Sequence, residues 1–171
     1  MKNLLLLFFI AFLVSCVDKT SQDDTDLITE ISIVTGIQLF DSDGVFEGSL
    51  GNPNVIVDSN VLSVYPTVSE ETIIVRANDN IQNIWILNGD PTLFYQQIDY
   101  STVVSSSTYS EEEIVSSLSF SYDASANNVT IGLSNLQKGF YRIFVKLADD
   151  KIHWQNVYVG TQEDEELNFW Q

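Results

Sequence analysis

Apolar and polar residues alternate along much of the chain, most regularly in its C-terminal half. Leu118, Phe120 and Tyr122 alternate with serines and an aspartate, and the pattern returns over residues 129–133 after a predicted turn at 124–128. It continues over 139–147 and 152–159, which predict a hairpin closed at 148–150. A period of two is typical of strands with one buried face.

The N-terminal half carries shorter apolar, β-branched runs separated by turn residues. Residues 41–54 contain three glycines and a proline, which predicts a loop or long hairpin. The predicted strands are residues 28–34, 36–40, 55–57, 61–65, 72–76, 81–87, 94–98 and 102–104. Strand signals every 8–12 residues favour an all-β fold, which we predict to be an antiparallel β-sandwich, immunoglobulin-like, with about seven to nine strands.

One segment favours a helix. Ser110 is followed by Glu111, Glu112 and Glu113, the arrangement of an N-cap with acids in the first turn. A charged loop would have the same composition, and we expect a single helical turn.

The N-terminus has the design of an export signal. Lys2 precedes an apolar run over residues 4–14, too short to cross a bilayer. The run ends at Leu13-Val14-Ser15-Cys16, which resembles the bacterial lipobox. We expect cleavage after a signal peptide of residues 1–15 and lipid on Cys16, which attaches the protein to the outer membrane, on its periplasmic or cell-surface face. Ordinary signal cleavage beside an incidental cysteine is the alternative.

Five segments are expected along the chain. The signal peptide is followed by a lipidated acidic tether over residues 16–27, which is either a surface-export signal or a solvated linker. Residues 28–60 would form strands and a loop packed on the sandwich, residues 61–160 the sandwich itself, and residues 161–171 a loose acidic tail.

Charge and cysteine content exclude several classes. The chain has 24 acidic and 7 basic residues and a net charge of −17, so phosphate backbones repel it and nucleic-acid binding is excluded. A single cysteine provides neither a disulfide nor a cysteine-based metal site.

Residues 62–159 resemble a known domain at both of their ends. The opening segment is Val64-Tyr65-Pro66-Thr67-Val68-Ser69 followed by Thr72-Ile73-Ile74-Val75, and the closing segment is Leu136-Gln137-Lys138-Gly139-Phe140-Tyr141-Arg142-Ile143. Both segments are similar to the C-terminal sorting domain of type IX secretion cargo. Thr67 and Val68 replace an asparagine and a proline of that family. The resemblance implies a small β-sandwich and, for function, an association with a type IX secretion complex.

The acidic loop offers a candidate calcium site. Asp41, Asp43 and Glu47 lie beside Gly44, and calcium prefers clustered oxygen ligands on flexible loops. Acids beside glycine also form ordinary turns.

No catalytic constellation is present. His153 is the only histidine, and we expect it to be half-exposed on a strand. No serine lies in a Gly-x-Ser-x-Gly elbow, so we expect neither an enzyme nor a cofactor.

The aromatic residues suggest a binding surface. Five aromatic residues are too many to face one core: Trp85, Trp154, Phe140, Tyr95 and Tyr100. Exposed aromatic patches often mark binding sites. A second sheet that covers these side chains is the alternative.

Two functions follow. The first is a non-catalytic, lipid-anchored envelope module that binds or scaffolds a protein partner. The alternative is a carbohydrate-binding surface lipoprotein of a glycan-uptake system.

Overall fold

A computed structural model describes residues 30–55, 58–103 and 108–171. The signal peptide, Cys16 and the tether lie outside the described residues. The strands are β1 Ile33–Val34, β2 Gly36–Phe40, β3 Phe46–Gly51, β4 Leu62–Tyr65, β5 Val68–Ser69, β6 Thr72–Asn88, β7 Asp90–Pro91, β8 Phe120–Gly132, β9 Gly139–Leu147 and β10 Ile152–Val159. One α-helix, α1, spans Glu111–Ser116, and 3-10 helices span Tyr100–Thr102 and Glu165–Trp170.

Strand β6 organises the sandwich because it belongs to both of its layers. Its first half, residues 72–77, pairs with β4 on one side and with residues 128–132 of β8 on the other. Its second half, residues 81–88, pairs with β9 and with residues 120–126 of β8. Register shifts between these halves bend the strand from one layer into the other.

The sandwich core lies between these layers. It joins alternate residues of β4, β6, β8, β9 and β10, among them Val64, Ile84, Ile143 and Val157, all at most 1 % exposed. The amide N–H of Val64 also donates to Oε1 of Gln155 across the core at 3.1 Å. The β-sandwich predicted from the alternation is confirmed, with ten strands among the described residues where about seven to nine were expected. Its pairs are antiparallel except β1 with β7 and β5 with β10, which are parallel.

A third layer covers the outer face of β6, β9 and β10. Trp85, Phe144 and Trp154 of this face pack against side chains from residues 30–55, 92–103 and 108–118. Two buried amides hold the N-terminal segment there: Nδ2 of Asn156 donates to Gly36 O and to Oδ1 of Asn54, both at 2.9 Å. The central sheet is therefore buried on both faces.

Helix α1 forms where the acidic run predicted it. The Oγ of Ser110 accepts from the amide of Glu113, and Oε2 of Glu113 accepts from the amide of Ser110, which makes a capping box. Ile114 is the buried residue of the helix and joins the aromatic layer.

Several predicted elements differ from the structure. β6 and β8 are each continuous, so the turn expected at 124–128 is wrong: these residues keep pairing with β6 through a bulge. Residues 94–97 form a turn and residues 100–102 a 3-10 helix instead of strands. Of the strand expected at 55–57, residues 56 and 57 lie outside the described residues, as does residue 104.

The C-terminal tail is held against the domain, contrary to the loose tail expected. Leu167 is buried beside Phe140 and Tyr158. The indole Nε1 of Trp170 donates to Thr92 O at 3.0 Å. Lys138 lies 2.8 Å from Asp164 and 3.2 Å from Glu166, so an ion pair adds to this apolar contact.

Candidate functional site

The predicted aromatic binding surface is buried. Trp85 is 3 % exposed, Trp154 2 % and Phe140 7 %. Trp154 donates its indole N–H to Asn54 O at 3.0 Å, and Phe140 packs edge-on against Trp170. The prediction of an exposed surface is wrong because this face is covered by the N-terminal strands, residues 92–103 and 108–118, and the tail.

Arg142 lies inside the same layer and is fully buried. Its Nη1 donates to Ile31 O and to the Tyr109 hydroxyl, both at 3.0 Å. The guanidinium carbon sits 5.1 to 5.6 Å from the ring centres of Tyr109, Phe144 and Trp154. Burial lowers the pKa of the Arg142 guanidinium. A period of two does not report whether a remote segment covers this face of β9, so the sequence did not predict the packing role of Arg142.

The acidic loop forms a turn. Oδ1 of Asp41 accepts the amides of Asp43 at 2.9 Å and of Val45 at 2.8 Å, which closes the connection between β2 and β3. Within residues 30–55, 58–103 and 108–171 no three acidic or histidine side chains gather closely enough to hold a metal ion. The candidate calcium site formed by Asp41, Asp43 and Glu47 is therefore not assembled.

His153 is half-buried on β10, as expected. Burial lowers the pKa of its imidazole, while the carboxylate of Asp149 acts in the opposite direction.

The exposed feature best suited to recognition is the outer edge of β8. The strand has thirteen residues and pairs with β6 alone among the described strands. The other edge strands of this sheet, β4 and β5, have four and two residues. Proteins usually protect long edges with lysine, proline or a covering element. β8 contains neither lysine nor proline, and its only charged residue is Asp123.

The ladder shows which backbone groups of β8 face outward. Leu133 N donates to Glu71 O at 2.8 Å, one step beyond the pair formed by Gly132 and Thr72. Bonded and non-bonded pairs alternate in an antiparallel ladder. Val129 and Ile131 therefore bond to β6, and the N–H and C=O groups of residues 128, 130 and 132 point away from the sheet.

The opposite side of β6 supports the same assignment. Asn78 N donates to Val61 O at 3.0 Å, so the even-numbered residues 74 and 76 bond to β4. Residues 73 and 75 are then left to bond β8. We call Asn128–Gly132 the docking edge; its ladder with β6 runs without interruption. The sequence pattern missed it because a turn was expected directly before it.

Side chains along the docking edge leave room for another strand. Asn128, Thr130 and Gly132 are exposed, Val129 is half-buried and Ile131 is buried. A Cβ added at Gly132 would meet no atom within 4 Å. Neither charge nor bulk therefore blocks the outward backbone groups.

No helix within the described residues has the length and apolar character needed to cross a bilayer.

Comparisons with known proteins identify no family for the chain. No family model matches, and no curated protein matches. One solved structure with similarity is a DUF3244 family protein with an immunoglobulin-like β-sandwich fold from Bacteroides vulgatus. It shares 10 % identity at a TM-score of 0.36, over 61 % of this chain and 89 % of that one.

Proposed function

We propose that this chain is a non-catalytic, lipid-anchored module of the cell envelope that binds a protein partner by strand addition. The observation that carries the proposal is the docking edge, where three consecutive outward pairs of backbone groups lack partners among the described residues. An extended segment of a partner would satisfy them as an added strand.

The net charge of the chain limits which segments can pair with the docking edge. A second copy of this chain brings another net charge of −17, and self-repulsion opposes its pairing. An extended segment with lysine or arginine is attracted instead. Partner binding should therefore weaken as salt concentration rises.

The N-terminal signals and the sorting-domain resemblance support a location at the outer membrane, beside a secretion complex. Lipid on Cys16 would hold the module at the outer membrane, and a type IX secretion complex is the assembly in which we would first seek the partner. Replacing Cys16 by serine should release the protein from the membrane fraction of its host. Unchanged fractionation would overturn the anchor without affecting the docking edge.

Photo-crosslinking tests the docking edge directly. A photoreactive amino acid at Gly132, where a side chain finds open space, should yield a discrete adduct in host membranes. The same amino acid at exposed Gln162, on the tail, should not.

Thr130→Pro then removes one outward N–H while leaving the bonds of Val129 and Ile131 to β6, because proline is tolerated where the N–H faces solvent. The adduct should disappear in this variant and persist in Thr130→Val, which keeps the N–H. An undiminished adduct in a folded Thr130→Pro protein would show that the edge does not bind the partner.

A further inference from the structure

A polar groove lies on the outer face of β4 and the first half of β6. Its cavity is about 410 Å³, within the size range of small-ligand sites. The connection between β2 and β3 forms one wall through Asp43 and Gly44, and the turn at residues 59–61 forms another. Tyr65 and Arg76 line its floor. We name it the Tyr65–Arg76 groove.

The ladder places these two side chains on one face. Leu62, Val64 and Val75 are fully buried, so Tyr65 and Arg76 point away from the core. Arg76 lies opposite Ser63, and Tyr65 is two residues further along β4. Such diagonal neighbours are about 7–8 Å apart, a separation that one sugar ring can bridge.

Arg76 differs from the other basic residues of the described chain. Lys138, Lys146 and Lys151 all form ion pairs with carboxylates at 3.3 Å or less, and Arg142 is buried among aromatic rings. Arg76 is exposed, and no carboxylate of the described residues lies within 4 Å of it. Arg76 is therefore the one exposed basic side chain of the described residues that is open to an anionic ligand.

Tyr65 supplies an aromatic surface beside that charge. A Cβ built on Gly44 would lie 3.2 Å from the tyrosine ring, so the loop backbone supports the ring from one side. Gly44 also has a φ of +78°, a conformation that favours glycine. The half-buried ring borders the groove and offers a flat apolar surface.

The remaining lining selects for hydroxyl groups. Asp43, Asn60 and Asn78 border the groove with hydrogen-bonding side chains. A ligand that uses all three features carries a carboxylate, an apolar ring face and hydroxyls. A doubly charged phosphate would suffer stronger repulsion from the acidic chain, whereas a carboxylate matches the arginine fork with one charge.

We propose that the Tyr65–Arg76 groove binds a single uronic acid unit of a glycan, with the sugar carboxylate on Arg76 and the apolar ring face on Tyr65. This inference is independent of partner binding at the docking edge, although Asn128 of that edge lies directly opposite Arg76.

Calorimetric titration of the full lipidated chain in detergent tests the groove. The probes are trimers of galacturonate, glucuronate, mannuronate and guluronate, each compared with the corresponding neutral trimer. At least one uronate should bind tenfold or more tightly than its neutral counterpart. Absence of binding by all four, or equal binding of the neutral sugar, would overturn the proposal.

Substitutions locate the binding. Arg76→Gln and Tyr65→Leu should each weaken uronate binding about tenfold or more, since one removes a charge-assisted contact and the other the aromatic ring. Lys138→Gln, outside the groove, should leave the affinity within twofold, and so should Thr130→Pro. Thermal unfolding checks that each variant is folded. Unchanged affinity in a folded Arg76→Gln protein would refute the site.

Discussion

Arg142 donates from Nη1 to the hydroxyl oxygen of Tyr109 at 3.0 Å, with both side chains buried. The contact ties the segment before α1 to the middle of β9. Nε and Nη2 of Arg142 have no hydrogen-bond partner among the described residues. The arginine is thus held by one nitrogen and by the rings around it.

Tyr109→Phe should destabilise the domain by about 1–3 kcal/mol, because it leaves one N–H of the buried, charged Arg142 without an acceptor while the bond to Ile31 O remains. Urea unfolding of the variant and the parent chain measures the difference. Tyr122→Phe, on a half-buried tyrosine of β8, is the control and should change the unfolding free energy little.

Arg142→Met should cost less than Tyr109→Phe. Methionine keeps most of the apolar volume and removes a buried charge together with its two unpartnered nitrogens, which offsets the lost contacts. The same unfolding series gives both values. A larger loss of unfolding free energy in Arg142→Met than in Tyr109→Phe would contradict this. It would mean that the surrounding aromatic rings and the Ile31 carbonyl stabilise the cation by more than its desolvation costs.

Asn156→Leu should lower the unfolding free energy by about 1–3 kcal/mol, because the Gly36 carbonyl and Oδ1 of Asn54 lose a buried donor. Hydrogen exchange of the variant should also show that the β2 amides exchange faster than in the parent, and that this increase is larger than for the β9 amides. Asn127→Ala, on an exposed residue, is the control. Equal protection of β2 in parent and variant would contradict the idea that these amides hold the N-terminal layer.

Acid should detach the C-terminal tail before the sandwich unfolds. The hydrogen bond from Lys138, with the backbone amide of Thr161, lowers the pKa of Asp164 from 3.8 to about 2. A lowered folded-state pKa means that the stabilisation is present above about pH 4 and is lost as pH falls towards 2. The indole N–H signal of Trp170 should broaden or shift over this range, and in Asp164→Asn the transition should be absent.

Stability should fall as pH drops below 6.5 because of His153. Burial lowers the pKa of its imidazole, so the unfolded chain takes up a proton more readily than the folded one. The stabilisation is complete above pH 6.5 and declines as pH falls through the lowered pKa. His153→Gln should make the urea midpoint of unfolding less dependent on pH between pH 6.5 and 5. An unchanged pH dependence would mean that other titrating groups cause it.

Periodicity alone was enough to predict β9, β10 and their connecting hairpin. Residues 141–147 alternate cleanly, and the structure places Tyr141, Ile143 and Val145 in the sandwich core as expected. The capping signal at Ser110 likewise predicted α1, because a helix N-terminus is satisfied by residues within one turn. These features depend on neighbours close in the chain.

Features that depend on distant contacts were not predicted. Phe140, Arg142 and Phe144 occupy the second face of β9, and alternation cannot report whether a remote segment covers that face. Asn54 meets Asn156 across 102 positions of sequence, and β8 keeps pairing with β6 through residues whose composition is typical of a turn.

The local pattern of side chains thus determined where the strands of the C-terminal hairpin lie, which of their side chains share one face, and the helix cap, since each is set by the backbone geometry of adjacent residues. Burial of the aromatic face, the exposed edge of β8 and the placement of Tyr65 and Arg76 in one groove arose only when the chain packed. Each depends on which remote segments come together. Local alternation does not specify this; it is set by the register between strands and by the burial of side chains from distant parts of the chain.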